Sequence, residues 1–71
     1  MDKKQFVFIV YMVHVLSDAW KKSTTWVYRI LNESGILDDY LIPCYDVLHT
    51  QGNAYLIEDI SDYLKEKGYE I

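Results

Sequence analysis

Tyr45 and His49 stand four residues apart, and Asp46 and Thr50 repeat that spacing beside them. On a helix, residues i and i+4 share a face, so this is the best polar cluster in the chain. His49 could act as a base. Catalysis would also need a nucleophile, a group that orients the base and an oxyanion site. The cluster supplies no evident nucleophile. The simpler expectation is that His49 caps carbonyls near a helix end while Tyr45 packs. Cys44 directly follows Pro43, and a helix N-terminus favours a thiolate. The competing expectation, a small packed cysteine, is preferred. A single cysteine excludes an internal disulfide, and the distant His14 and His49 lack zinc-ligand spacing. His14 reads as a boundary histidine on an otherwise apolar segment. No glycine-rich phosphate loop, HExxH or EF-hand pattern occurs. The residues imply no metal, no cofactor and no enzyme.

Helices must position whatever these residues do. Lys3 to Trp20 is apolar at odd and even positions alike, which excludes the alternation of a half-buried strand. Lys4, Tyr11, His14, Asp18 and Lys21 recur at helical steps and form a narrow polar stripe interrupted only by Val7. The remaining circumference is apolar, and such a helix must be covered on more than one side. Short helices can cover one side, and a second copy of the chain is the expected cover for the other. Phe6, Phe8, Ile9, Met12, Val13 and Leu16 are the expected self-association residues. Ser23 or Thr24 can cap a second helix, with Trp26, Val27, Ile30 and Leu31 as its apolar stripe and Gly35 as its stop. Asp38 or Asp39 can cap a short turn that Pro43 interrupts, and proline suits the start of a further helix. Leu41, Tyr45 and Leu48 point one way. After Gly52, the last helix carries Leu56, Ile57, Ile60, Tyr63 and Leu64, and Gly68 ends it. The predicted fold is all-α: a single domain over 1–71, a bundle of four to five helices near 3–20, 24–34, 38–42, 43–51 and 53–67, loosely helix-turn-helix-like.

A chain of 71 residues buries only about 60% of its unfolded surface, and domains this small usually need a staple. With no disulfide or metal, association is the expected one. Seven tyrosines suit half-wet surfaces. The apolar run Phe6–Val13, extended to Leu16 across His14, covers 11 residues, well short of the roughly 20 that span a bilayer. Lys3 and Lys4 before it resemble a signal peptide, but Tyr11, His14 and the missing small-residue cleavage site disfavour that reading. A cytoplasmic location and no membrane contact are expected. The net charge of −4 is unevenly spread. Residues 1–31 carry five basic and two acidic side chains, and residues 32–71 carry nine acidic and two basic ones. The acidic half is expected to face a basic partner.

The run Ser23–Gly35 also has the outline of a helix-turn-helix, in which Lys21, Lys22, Thr24, Thr25, Tyr28, Arg29 and Asn32 could touch DNA. Phosphate contacts supply much of the affinity of DNA binders. A mild basic excess backed by an acidic half makes nucleic acid the rival reading.

The strings Val27–Leu31, Gly35–Leu41, Tyr45–Gly52, Tyr55–Ile60 and Tyr63-Leu64 resemble a family of small bacterial proteins, domain of unknown function 3791. The resemblance runs from Phe6 to Gly68, and Leu48-His49-Thr50-Gln51-Gly52 is its most specific element. It implies gene neighbours resembling ADP-ribosyltransferase-like proteins, in toxin–antitoxin-like pairs. It transfers no functional residue. The expected function is a non-catalytic protein-binding module, antitoxin-like or accessory to a toxin-like enzyme. Its partner would be another protein encoded by an adjacent gene, met through Asp38, Asp39, Tyr40, Tyr45, Leu48 and His49. A homodimer through the first helix is a separate expectation.

Overall fold

The computed structural model describes residues 1–71. It contains helices α1 (Lys3–Trp20), α2 (Thr24–Glu33), α3 (Tyr45–Leu48) and α4 (Asn53–Glu66), with a π-helical turn at Leu37–Leu41 between α2 and α3. The all-α bundle expected from the periodicity is the observed fold. No helix is long and apolar enough to cross a membrane.

Local chemistry sets the boundaries. Asp2 opens α1 with a capping box: its carboxylate accepts from Gln5 N at 2.8 Å, and Gln5 Oε1 accepts from Asp2 N at 3.0 Å. The helix closes at Lys21, whose φ of 59° is left-handed. Of the two candidate caps for α2, the structure uses Ser23, whose hydroxyl accepts from Trp26 N at 3.1 Å. Gly35 reverses the chain after α2 at a φ of 86°.

Three expectations for residues 36–51 are corrected. Neither Asp38 nor Asp39 caps the turn, which begins after Ile36 without a side-chain cap. The turn is π-helical: Ile42 N–H reaches back five residues to Leu37 O at 3.0 Å. Pro43 opens no helix from 43 to 51. It lies in a turn, and α3 is only Tyr45–Leu48. The flanking bonds are three-residue steps, Tyr45 N to Ile42 O, Thr50 N to Val47 O and Gln51 N to Leu48 O, which tighten both ends. Thr50 Oγ1 also donates to Val47 O at 2.7 Å, taking a carbonyl that a longer helix would use.

The core comprises Phe8, Ile9, Met12, Val13 and Leu16 of α1, Val27, Ile30 and Leu31 of α2, Ile36, Leu37 and Leu41 of the π turn, Leu48 of α3, and Leu56, Ile60 and Leu64 of α4. Five of the six residues expected to mediate self-association therefore lie in the chain's own interior, and only Phe6 is exposed. The reason is geometric. Helices α2, α4 and the π turn wrap the side of α1 opposite its polar stripe, so the most continuous apolar face is consumed by folding.

Polar clasps close the bundle. Lys67 Nζ donates to Ser34 O at 2.8 Å and lies over the Tyr63 ring, tying the end of α4 to the end of α2. Trp20 Nε1 donates to Ser61 Oγ at 2.9 Å, and its ring meets Trp26 edge-on. At Gly35 a Cβ would sit 3.1 Å from Asp39 Oδ2 on a backbone of positive φ. Gly35→Ala is thus expected to destabilise the fold by about 1–2 kcal/mol. Gly52 has open space around it and an ordinary φ of −74° as the N-cap of α4, so Gly52→Ala should cost only the cap preference, about 0.5 kcal/mol of the unfolding free energy read from urea melts.

Candidate functional site

The solvent side of α1 is not the polar stripe its charges suggest. Phe6 and Val7 are each 56% exposed, with Val10 and Tyr11 one turn further on also open to solvent. Grooves run along both flanks. One, of about 420 Å³, lies between α1 and α2, where Met1, Phe6, Val10 and Tyr28 surround a floor of Ile9, Val13 and Leu37. The other, of about 370 Å³, lies between α1 and the α3–α4 connection and holds Val7, Tyr11, Tyr45 and His49. The Tyr11 hydroxyl donates to Asn53 Oδ1 at 2.7 Å, which anchors its ring at this edge.

Tyr45 and His49 do share a face. Their rings stack with centroids 4.5 Å apart, and Phe8 meets Tyr45 edge-on from α1. His49 Nδ1 lies 2.8 Å from Tyr45 O. A carbonyl only accepts, so Nδ1 carries the proton and Nε2 is the bare nitrogen of the neutral ring. His49 thus caps a carbonyl as its helix-end position suggested. His14 does the same, with Nδ1 2.9 Å from Val10 O. Cys44 is half-buried and packs against the core.

The opposite face is acidic. Tyr55, Glu58, Asp59, Asp62 and Glu66 follow steps of three and four along α4 and share one side of it. Glu58, Asp62 and Glu66 are exposed, Asp59 is partly covered, and Tyr55 is 54% exposed. Carboxylates four residues apart repel, which costs an isolated helix about 0.2–0.5 kcal/mol per pair. Behind the stripe, the Tyr40 hydroxyl donates to Asp59 Oδ2 at 2.5 Å, and the Tyr40 ring stacks on Tyr63. The phenol is held well above its ordinary pKa, first because its proton bridges to Asp59, then by burial and by repulsion from the same carboxylate.

Residues 7–67 match the family described as protein of unknown function (DUF3791). The chain belongs to that family. No curated protein and no solved structure matches it.

In this DUF3791 chain the expected partner-binding residues form two groups rather than one surface. Asp38 and Asp39 are exposed on the π turn, and the partly buried Tyr40 joins Asp59 and Tyr63. Tyr45 and His49 belong instead to the groove beside α1. Leu48 is corrected: it is 3% exposed and part of the core, so it cannot meet a partner. Sequence reasoning missed Val47 and Tyr55, both largely exposed, and Val10 on α1, and it offered Tyr28 only as a DNA contact. A signal for the α1 face existed in Val7, the one apolar residue within the polar stripe. For α2, Thr25, Tyr28, Arg29 and Asn32 are exposed as a recognition helix would need, but Arg29 is the one cation in that helix.

Proposed function

We propose that this DUF3791 protein is a non-catalytic protein-binding module, the antitoxin-like or accessory partner of a toxin-like enzyme encoded beside it. One observation carries the reading: the α4 stripe gathers Glu58, Asp59 and Asp62 beside the exposed Tyr55 and continues to Glu66, with Asp38 and Asp39 on the neighbouring turn. Such a face repels itself and is relieved by a cationic surface. Tyr55 offers the amphipathic anchor that interfaces favour. The link to a toxin-like enzyme comes from the family resemblance.

The test is co-expression with the adjacent gene product. The two proteins are expected to co-purify, and the neighbour's toxicity is expected to fall. The double variant Glu58→Lys/Asp62→Lys should weaken association at least about tenfold. A neighbour that neither associates nor changes in toxicity would refute the proposal. A salt-sensitive shift of the protein's own promoter DNA, lost in Arg29→Ala, would favour the regulator reading instead.

A further inference from the structure

We propose that Pro43–Gly52 is a strap: it lifts from the body of the protein as one unit while α1, α2 and α4 stay packed, and in doing so it opens the groove beside α1. The strap lies apart from the acidic stripe and does not depend on the function proposed above.

Both ends of the segment are tied to α1, and no polar bond ties it down in between. Gln5 Nε2 donates to Ile42 O at 3.4 Å just before the segment, and the Tyr11 hydroxyl donates to Asn53 Oδ1 at 2.7 Å just after it. Those two anchors belong to the same short stretch of α1, about 9 Å long at the rise of an α-helix. The segment between them has the form of a compact surface loop whose ends are close together. Every hydrogen bond that Pro43–Gly52 makes is to a residue at most four positions away in the chain. Leu48 is its one buried side chain. Cys44 and Tyr45 are partly buried beside it, and the Tyr45 ring meets Phe8 edge-on. At the two margins, Pro43 has no N–H to donate, and Gly52 has open space around it and no side chain to cap α4.

The body is tied far more firmly. Every core residue except Leu48 lies outside the strap. The bonds from Trp20 to Ser61 and from Lys67 to Ser34 clasp α4 to α1 and to the end of α2. A segment held by few apolar contacts and by local hydrogen bonds opens at a lower free energy than the whole domain. Lifting this strap exposes Leu48 and the Phe8 ring and leaves both clasps in place. It also moves one wall of the groove of about 370 Å³, which has Val7, Phe8 and Tyr11 of α1 on one side and Tyr45, His49 and Gln51 of the strap on the other. With the strap down, Phe8 is only 8% exposed. With the strap up, Phe8 becomes the floor of a wider apolar cleft.

Native-state hydrogen exchange, followed by NMR on the full chain in rising but sub-denaturing urea, tests the proposal. The amides of Leu48, His49 and Gln51 are bonded within the strap, to Cys44 O, Tyr45 O and Leu48 O. They are expected to share one opening, with protection about tenfold or more below that of the middle of α1 and α4. Their common urea dependence should be weak but not zero, because opening exposes Leu48 and Phe8. Leu48→Ala should abolish protection in the strap and keep the helical circular dichroism. Protection in α1 and α4 should then fall by no more than the factor the strap itself loses, since the body stays folded when the strap is up. Leu41→Ala, in the core beside the strap but outside it, should instead lower protection in every helix. Strap amides that exchange with the protection and urea dependence of α1 and α4 overturn the proposal, because the segment then opens only with the whole domain. Strap amides that exchange one by one without urea dependence overturn it as well, since that is fraying and not a unit. So does a Leu48→Ala variant whose α1 and α4 unfold.

Discussion

Leu16→Ala is expected to leave most of the protein unfolded at ambient temperature, whereas Val10→Ser on the same helix is expected to leave its unfolding free energy nearly unchanged. Leu16 is fully buried, and Val10 is 40% exposed. Removing a buried leucine costs its transfer free energy plus the cavity left behind, about 2–5 kcal/mol. A single core in a chain this short rarely supplies more than about 3–5 kcal/mol. The two quantities are comparable, so the variant has little or no reserve. Val10→Ser deletes no core contact and should fall within about 0.5 kcal/mol. Urea melts followed by circular dichroism at fixed, low protein concentration measure both. Equal losses at the two positions would mean that α1 is not oriented as described. Low concentration matters, because a dimer adds its own stability by mass action.

That contrast marks where sequence reasoning stops. The boundaries of α2 and α4 were legible because each carries local signals, Ser23 as a cap and Gly35 and Gly68 as left-handed stops; the Asp2–Gln5 capping box that opens α1 was a local signal the sequence reading passed over. The azimuth of α1 was not legible. With apolar residues almost all round, Phe8 and Phe6 look alike in sequence, yet one is core and the other surface. Only the packing of α2, α4 and the π turn decides between them, and those contacts are distant in sequence. The π turn escaped for a related reason. Its apolar residues Ile36, Leu37 and Leu41 suit a helix of ordinary pitch, and the widened Leu37–Ile42 bond is set by the need to turn before Pro43.

The candidate surfaces were partly legible in the same sense. Charge asymmetry along the chain pointed to an acidic second half, and the structure gathers Glu58, Asp59 and Asp62 beside Tyr55. Composition could not separate Tyr40, whose hydroxyl is already engaged by Asp59, from Tyr55, which is open to a partner. A tyrosine count signals half-wet surface, and the hydrogen-bond partner decides which ring is spare. Lys67 likewise belongs to the clasp on Ser34 O rather than to the charge pattern of the surface.

The Tyr40–Asp59 bond leads to the second large effect. Tyr40→Phe is expected to destabilise the protein by about 1–2 kcal/mol at neutral pH, the worth of a partly covered hydrogen bond to a carboxylate. The stacked ring on Tyr63 is retained in phenylalanine, so the loss reports the hydroxyl alone. The penalty should shrink as the solution becomes alkaline. In the unfolded chain a tyrosine ionises near a pKa of about 10, while the folded Tyr40 keeps its proton to higher pH because that proton is shared with Asp59. Below about pH 10 both states are protonated and the full contribution is present. Above it, the unfolded state gains by losing the proton, and the contribution drains away until the folded phenol also ionises. The parent should therefore lose stability more steeply than Tyr40→Phe between about pH 9 and pH 11. Urea melts of both proteins across that range measure the gap directly. A gap that stays constant, or widens, would mean that the Tyr40 proton is not shared with Asp59 in solution.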